Sequence, residues 1–193
     1  MSENLYAPPA APLIDPAPLA TQGNEFFVVS PRKFLLLFVT TLGMYQLYWF
    51  YMHWARFRTV NRQKMLPIAR AAFSIFFTHA LTRQIDNRLR RDDRPYPWSA
   101  SGVATVYVAL AVTMNIFDRL AFREIGSPIT DLIGMALVPV LAVTGVRIQK
   151  AANLACGDPE GESNQHLTWA NWIWLVIGAL FWILCLLGFF LPE

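Results

Sequence analysis

Charged residues are scarce in this sequence, and three long stretches have none. Only 15% of the 193 residues are Asp, Glu, Lys or Arg, whereas a soluble domain carries about 25%. Uncharged runs of nineteen or more residues cover 34–52, 99–117 and 170–191. At about 1.5 Å per residue, each run extends about 28 Å or more, against a hydrocarbon core of about 30 Å. The composition excludes an ordinary soluble domain and predicts a helical integral membrane protein.

Residues of the kinds that carry chemistry are also few. The two cysteines, Cys156 and Cys185, lack metal-site spacing, and a disulfide between them is not expected. The histidines, His53, His79 and His166, show no ligand spacing. No Gly-x-Ser-x-Gly, His-Glu-x-x-His or P-loop pattern occurs. We therefore predict no catalytic residue, no metal site and no cofactor, and we favour a protein that is not an enzyme.

The uncharged runs predict an all-α membrane bundle of four transmembrane helices plus one amphipathic interfacial helix. Ser30 as N-cap and Pro31 at the first helical position mark the start of the first helix, which is expected to continue as far as Lys64. One membrane domain, 26–193, would hold all these elements. The predicted spans are about 34–52, 99–117, 128–147 and 170–191.

The interfacial helix is predicted at about 65–91. Its uncharged part, 71–82, covers only about 18 Å, roughly half a bilayer. Apolar and polar residues fall on opposite faces at helical spacing. This pattern is typical of a helix that lies flat in the membrane interface. A helix packed onto the bundle, or one that dips into the membrane and returns, is the open alternative.

Residues 1–25 hold five prolines among small residues. Such a stretch buries too little apolar area to offset its ordering entropy, so it is predicted to be a disordered tail. It would serve as a tether or as a peptide that docks in a proline-binding groove.

The distribution of positive charge predicts the orientation, because Lys and Arg stay in the cytoplasm. Four spans would place twelve Lys and Arg on one side and four on the other, whereas five spans would give at best nine and six. Both termini are then predicted outside. Aromatic residues gather at the proposed cytoplasmic interface, where they would act as anchors. The predicted anchors are Tyr48, Trp49, Tyr51, Trp54, Trp98, Trp169 and Trp172.

Segment 53–98 is the best candidate for a functional surface, since it carries ten Lys or Arg against three acids. Each such cation near an anionic leaflet contributes about 1 kcal/mol, which favours anionic-lipid binding. Topology control alone is the alternative, and nucleic acid is not an expected partner. The residues predicted to contact lipid or a partner are Arg83, Arg88, Arg90, Arg91 and Arg94.

Two sequence motifs carry a resemblance. Residues 43–54 read GMYQLYWFYMHW after SPRKF at 30–34, and residues 158–161 read DPEG before LTWANW at 167–172. Over about 26–191 the chain resembles a family of uncharacterised bacterial inner-membrane proteins with a Gly-x-Tyr-x-x-Tyr-Trp-Phe-Tyr-x-x-Trp signature. The resemblance implies a multi-pass protein of the bacterial cytoplasmic membrane and implies no activity.

The leading functional hypothesis is an accessory or scaffold protein that contacts anionic lipid or a membrane-protein partner. A small transporter or channel lined by the bend at Pro139 is the first alternative. A lipid-modifying enzyme that uses His53 or His79 is the second. A ribbon of small residues at spacing four, residues 101, 105, 109 and 113, would serve packing within the bundle or a homodimer.

Overall fold

The computed structural model describes residues 24–190, which form seven α-helices and one 3-10 turn. The helices are α1 Pro31–Thr40, α2 Tyr45–Asn61, α3 Pro67–Ala72, α4 Ser74–Arg91, α5 Ala100–Phe122, α6 Ile129–Ala155 and α7 Trp169–Phe190. Within these described residues there is no strand, and the all-α prediction is confirmed for them. The predicted tail lies outside the described residues except for Asn24 and Glu25.

Three helices are long and apolar enough to cross a membrane. They are α5, α6 and the part of α7 up to Gly188, and they match the predicted spans at 99–117, 128–147 and 170–191. Pro139 lies inside α6, which continues on both sides of it. The described residues therefore support a helical membrane protein, while the fourth predicted span, 34–52, is not confirmed.

The predicted continuous helix over 34–52 is corrected to two helices, α1 and α2. Leu42 and Gly43 have φ values of +50° and +84°, which leave the right-handed helical region. The Gly43 N–H donates to the Phe38 carbonyl at 2.8 Å and closes the end of α1. With ten residues, α1 extends about 15 Å, which is half of a hydrocarbon core.

The chain reverses direction between α1 and α2, so the two helices form a hairpin. Phe34 packs on Trp49 with ring centroids 5.0 Å apart, and Phe27, earlier in the chain, packs on His53, later in the chain, at 6.1 Å. Such crossed pairing is that of antiparallel segments. Residue 24 and the end of α2 therefore lie on one side of the bundle, whereas the four-span prediction placed them on opposite sides.

The tip of this hairpin reaches only part of the way along the spanning helices. A Cβ on Gly43 would lie 3.9 Å from Met114, which stands fourteen residues into α5, or about 21 Å from its start. Trp182, thirteen residues into α7, donates to the Val39 carbonyl at 3.0 Å. The positions of Met114 in α5 and of Trp182 in α7 both place the hairpin tip at about two thirds of the length of these helices.

The segment predicted as one interfacial helix is two helices, α3 and α4, joined at Phe73. Helix α3 packs on α2, and α4 packs on α5. The Glu25 carboxylate accepts from Asn61 at the end of α2 and from Arg88 near the end of α4, at 2.7 and 2.8 Å. Because one side chain reaches both ends of 62–87, this segment returns to the side from which it started.

Candidate functional site

An extended segment, 25–30, runs through the core where α2, α4 and α6 meet, and two amides of α6 hold its backbone. The Asn153 side chain donates to the Val29 carbonyl at 3.0 Å and accepts from the Val29 N–H at 3.3 Å. The Gln149 amide donates to the Phe27 carbonyl at 2.8 Å. Asn153 therefore replaces the pair of hydrogen bonds that a neighbouring strand would make.

His53 joins the same network through both ring nitrogens. Nδ1 accepts from the Phe27 N–H at 3.3 Å, so Nε2 carries the proton and donates to the Gln149 Oε1 at 3.3 Å. The Trp49 indole donates to that same oxygen at 2.5 Å. Burial lowers the pKa of His53 to about 3, because the charged ring would lose its hydration. His53 is therefore a neutral core residue, and both of its ring nitrogens are engaged.

Three of the five arginines predicted to contact lipid have partners that are distant in the chain. The buried Glu25 carboxylate accepts from Arg88 at 2.8 Å and from Arg91 at 3.3 Å, and Arg88 also pairs with Asp92 at 2.7 Å. Arg94 donates to two carbonyls in the last turn of α6, 2.9 and 3.3 Å away, where helix carbonyls lack partners. These residues tie the segment 25–30 and α4 to α6.

The other two, Arg83 and Arg90, are exposed at the α4–α5 cleft, a cavity of about 560 Å³. Asp86 accepts from the Arg90 Nε at 2.8 Å and from the Trp98 indole at 3.1 Å. The residues lining the α4–α5 cleft are His79, Thr82, Arg83, Asp86, Arg90, Trp98, Ser99, Ala100 and Ser101. Arg83 and Arg90 thus line one cavity, whereas Arg88 and Arg91 line another together with Glu25, which pairs with both of them.

The predicted aromatic anchors divide into two groups. Trp49 and Trp54 are 0 and 1% exposed, so their rings contact protein and do not reach the surface. Trp98 is half-buried at the α4–α5 cleft. Four of the seven are exposed on the described surface, as anchors require: Tyr48, Tyr51, Trp169 and Trp172.

A second cavity, of about 520 Å³, lies at the other end of the bundle. It is bounded by α5, α6, α7 and the hairpin tip at Leu42. Asp118 and Asp131 line it, and one oxygen of Asp131 is buried without a hydrogen-bond partner among the described residues. The cavity brings two carboxylates close to the tip of the hairpin.

Sequence reasoning missed Gln149 and Asn153 as a pair. Two amides one helical turn apart, at the end of an apolar helix, were the available signal, because a buried amide requires partners. The segment that supplies those partners lies between the predicted tail, 1–25, and the predicted helix start at Ser30, and no motif in the sequence marked it.

No protein-family model matches the chain, and no curated protein or solved structure matches it either. Function is therefore inferred from the contacts of the chain itself.

Proposed function

We propose that this protein is a non-enzymatic accessory or scaffold component of a bacterial cytoplasmic membrane, and that its segment 53–98 lies against anionic lipid. The observation that carries the proposal is the surface of α3 and α4. Four large apolar residues there are 60 to 78% exposed: Leu66, Ile68, Phe73 and Phe76. An apolar patch beside spanning helices is a membrane-contacting surface.

Exposed cations surround this apolar surface. Arg58, Arg62 and Lys64 are exposed at the end of α2, and Arg83 is exposed on α4. Basic residues beside an apolar surface combine attraction to anionic headgroups with burial of apolar area. The same arrangement would present these exposed cations to a membrane-protein partner. Binding such a partner is the proposed scaffold role.

The proposed orientation places residue 24 and segment 53–98 in the cytoplasm and the end of α7 outside. With α1 and α2 as a re-entrant hairpin and three spans, fourteen of the sixteen Lys and Arg lie on the cytoplasmic side. The other two are Arg119, in the last turn of α5, and Arg123, at the C-cap of that helix. Four spans would give twelve and four, so the positive-inside rule favours the re-entrant arrangement. The sequence resemblance supports a bacterial inner membrane.

Single-cysteine labelling tests this orientation. In a background of Cys156→Ser and Cys185→Ser, cysteine replaces Asn24, Gln63 or Phe122 one at a time. We expect an impermeant maleimide to label position 122 in intact spheroplasts and to label 24 and 63 only after lysis. Labelling of position 24 from outside would restore the four-span topology and contradict the hairpin.

Native mass spectrometry of the full-length protein extracted from its membrane into lipid nanodiscs tests the accessory role. A stoichiometric co-purifying protein is the expected result. A monomer or homodimer with only bulk lipid would contradict a stable accessory role and would make transport the next hypothesis to test.

A small transporter or channel is a second candidate, because the hairpin tip and two carboxylates meet at the outer cavity. Non-helical backbone at membrane depth occurs where it is buried in protein or lines a water-filled path. Cation flux into proteoliposomes that falls in an Asp118→Asn, Asp131→Asn variant would support this candidate. Flux equal to that of empty liposomes would rule it out.

A further inference from the structure

We propose that the α4–α5 cleft holds the phosphate of one anionic phospholipid, an inference that rests on the membrane contact proposed above. The cleft combines two guanidinium groups, three hydroxyl-bearing side chains and an indole at one cavity. Guanidinium groups bind phosphate through paired N–H donors, which makes arginine the preferred residue for such recognition.

Asp86 orients Arg90 without occupying its phosphate-binding edge. One Asp86 oxygen accepts from the Arg90 Nε at 2.8 Å, and the other accepts from the Trp98 indole at 3.1 Å. Neither Nη nitrogen of Arg90 has a hydrogen-bond partner among residues 24–190, and the Arg90 side chain is 80% exposed. A phosphate can therefore be bound by Arg90 while Asp86 keeps the side chain in place.

Arg83 supplies the second positive charge. It stands seven residues before Arg90, so both lie on the same face of α4, two turns apart. Arg83 has no carboxylate within 4 Å among residues 24–190. With Asp86 counted, the two arginines leave one net positive charge at the cleft, which complements the single negative charge of a phosphodiester.

The surface below the cleft is apolar, as the acyl chains of a phospholipid require. Phe76 lies two turns from Arg83 on the same face of α4 and is 78% exposed. Between them, His79 contacts Thr105 of α5 at 3.1 Å, and Val112, two turns further along α5, is exposed. Cations with an indole at their level, then a hydroxyl, then apolar side chains follow the order of a bilayer leaflet from headgroup to core.

The test compares two double variants of the full-length protein. Arg83→Gln with Arg90→Gln removes the two cleft cations. Arg119→Gln with Arg123→Gln removes two exposed cations at the other end of the bundle, outside segment 53–98, and is the matched control. Thermal unfolding in detergent confirms that both variants fold. Lipid binding is then titrated in nanodiscs by native mass spectrometry, with phosphatidylglycerol, phosphatidylcholine and inorganic phosphate as separate probes.

We expect the cleft variant to bind phosphatidylglycerol about thirtyfold more weakly, the sum of two contacts of about 1 kcal/mol each, and the control to bind like the parent. Equal weakening in both variants would overturn the cleft, because binding would then follow the total charge of the protein, while a retained preference for phosphatidylglycerol over phosphatidylcholine would leave the proposed membrane contact standing. A parent that does not prefer phosphatidylglycerol to phosphatidylcholine would overturn both. Displacement of the lipid by millimolar inorganic phosphate would assign the cleft to free phosphate and would overturn the proposal that a phospholipid occupies it.

Discussion

Helices α6 and α7 are both apolar enough to cross a membrane, yet they are packed very differently. In the most apolar window of α6, 33% of the residues are buried inside the protein, compared with 11% for α7. Helix α6 contacts α1, α4 and α5, whereas α7 contacts α1 alone among the helices of the described chain. Hydropathy measures transfer from water to lipid, so it does not separate a helix covered by protein from one covered by lipid.

Small and polar residues account for the difference. A Cβ on Gly145 of α6 would lie 2.8 Å from the Phe34 ring, so glycine allows that ring to pack against the helix. Gln149 and Asn153 then bind the extended segment through their amides. On α7, the corresponding contacts are confined to Gly178 and Trp182 at the hairpin tip. Close approach and buried hydrogen bonds therefore hold α6 against several helices, while α7 packs on α1 alone among the described helices.

The largest expected effect follows from Asn153→Leu, which removes the strand-like contacts of α6. The Val29 N–H and carbonyl would lose their partners in the core, and each buried unsatisfied group costs about 1–3 kcal/mol. We expect the free energy of unfolding, measured by SDS titration in mixed micelles, to fall by about 2–6 kcal/mol.

Asn115→Leu is the matched control for this substitution. Asn115 is exposed on α5, and its side chain donates only to the Ala111 carbonyl of its own helix. Its replacement should leave the free energy of unfolding nearly unchanged. Equal losses in the two variants would mean that a buried amide contact does not distinguish α6 from the other apolar helices.

The α7 side of the comparison is tested by Gly178→Ala. A Cβ at this position would overlap the backbone carbonyl group of Thr40, so α7 must move away from the hairpin tip. Overpacking of this kind costs about 1–3 kcal/mol, and we expect a lower thermal unfolding midpoint. Gly188→Ala meets nothing within 4 Å and should behave like the parent. A parent-like midpoint for Gly178→Ala would show that α7 is not held at Thr40.

The smallest effect expected is a loss of stability in mild acid caused by His53. The pKa of His53 is about 3 in the folded protein and 6.5 for an unperturbed histidine, so between these values the unfolded chain binds the extra proton. Stability then falls as the pH drops below about 6.5, by about 1 kcal/mol at pH 5.5. Unfolding titrations at pH 7.5 and 5.5 measure it.

His53→Gln should reduce that pH dependence, and His79→Gln should retain it because the His79 ring is exposed. An unchanged pH dependence in His53→Gln would assign the effect to other groups and would remove His53 from the network that integrates α6.

The three helices that are long and apolar enough to cross a membrane could be predicted from the sequence, because each coincides with a long uncharged run. The first run, 34–52, is equally uncharged and yet reverses at Gly43, where the left-handed backbone has little cost for glycine. The basic face of α4 was found as well, since charge is visible in sequence. Which arginines pair within the protein could not be predicted, because their partners, Glu25 and the carbonyls at the end of α6, are distant in the chain.

The sequence by itself determined that this chain is helical, that it carries helices suited to a membrane, and that its positive charge gathers in one segment. Those properties depend on composition and local periodicity. The tertiary structure alone decided that 34–52 turns back, that Gln149 and Asn153 bind an extended segment, and that Arg83 and Arg90 share a cleft with Trp98. These depend on contacts between residues up to 124 positions apart, whose geometry no local pattern encodes.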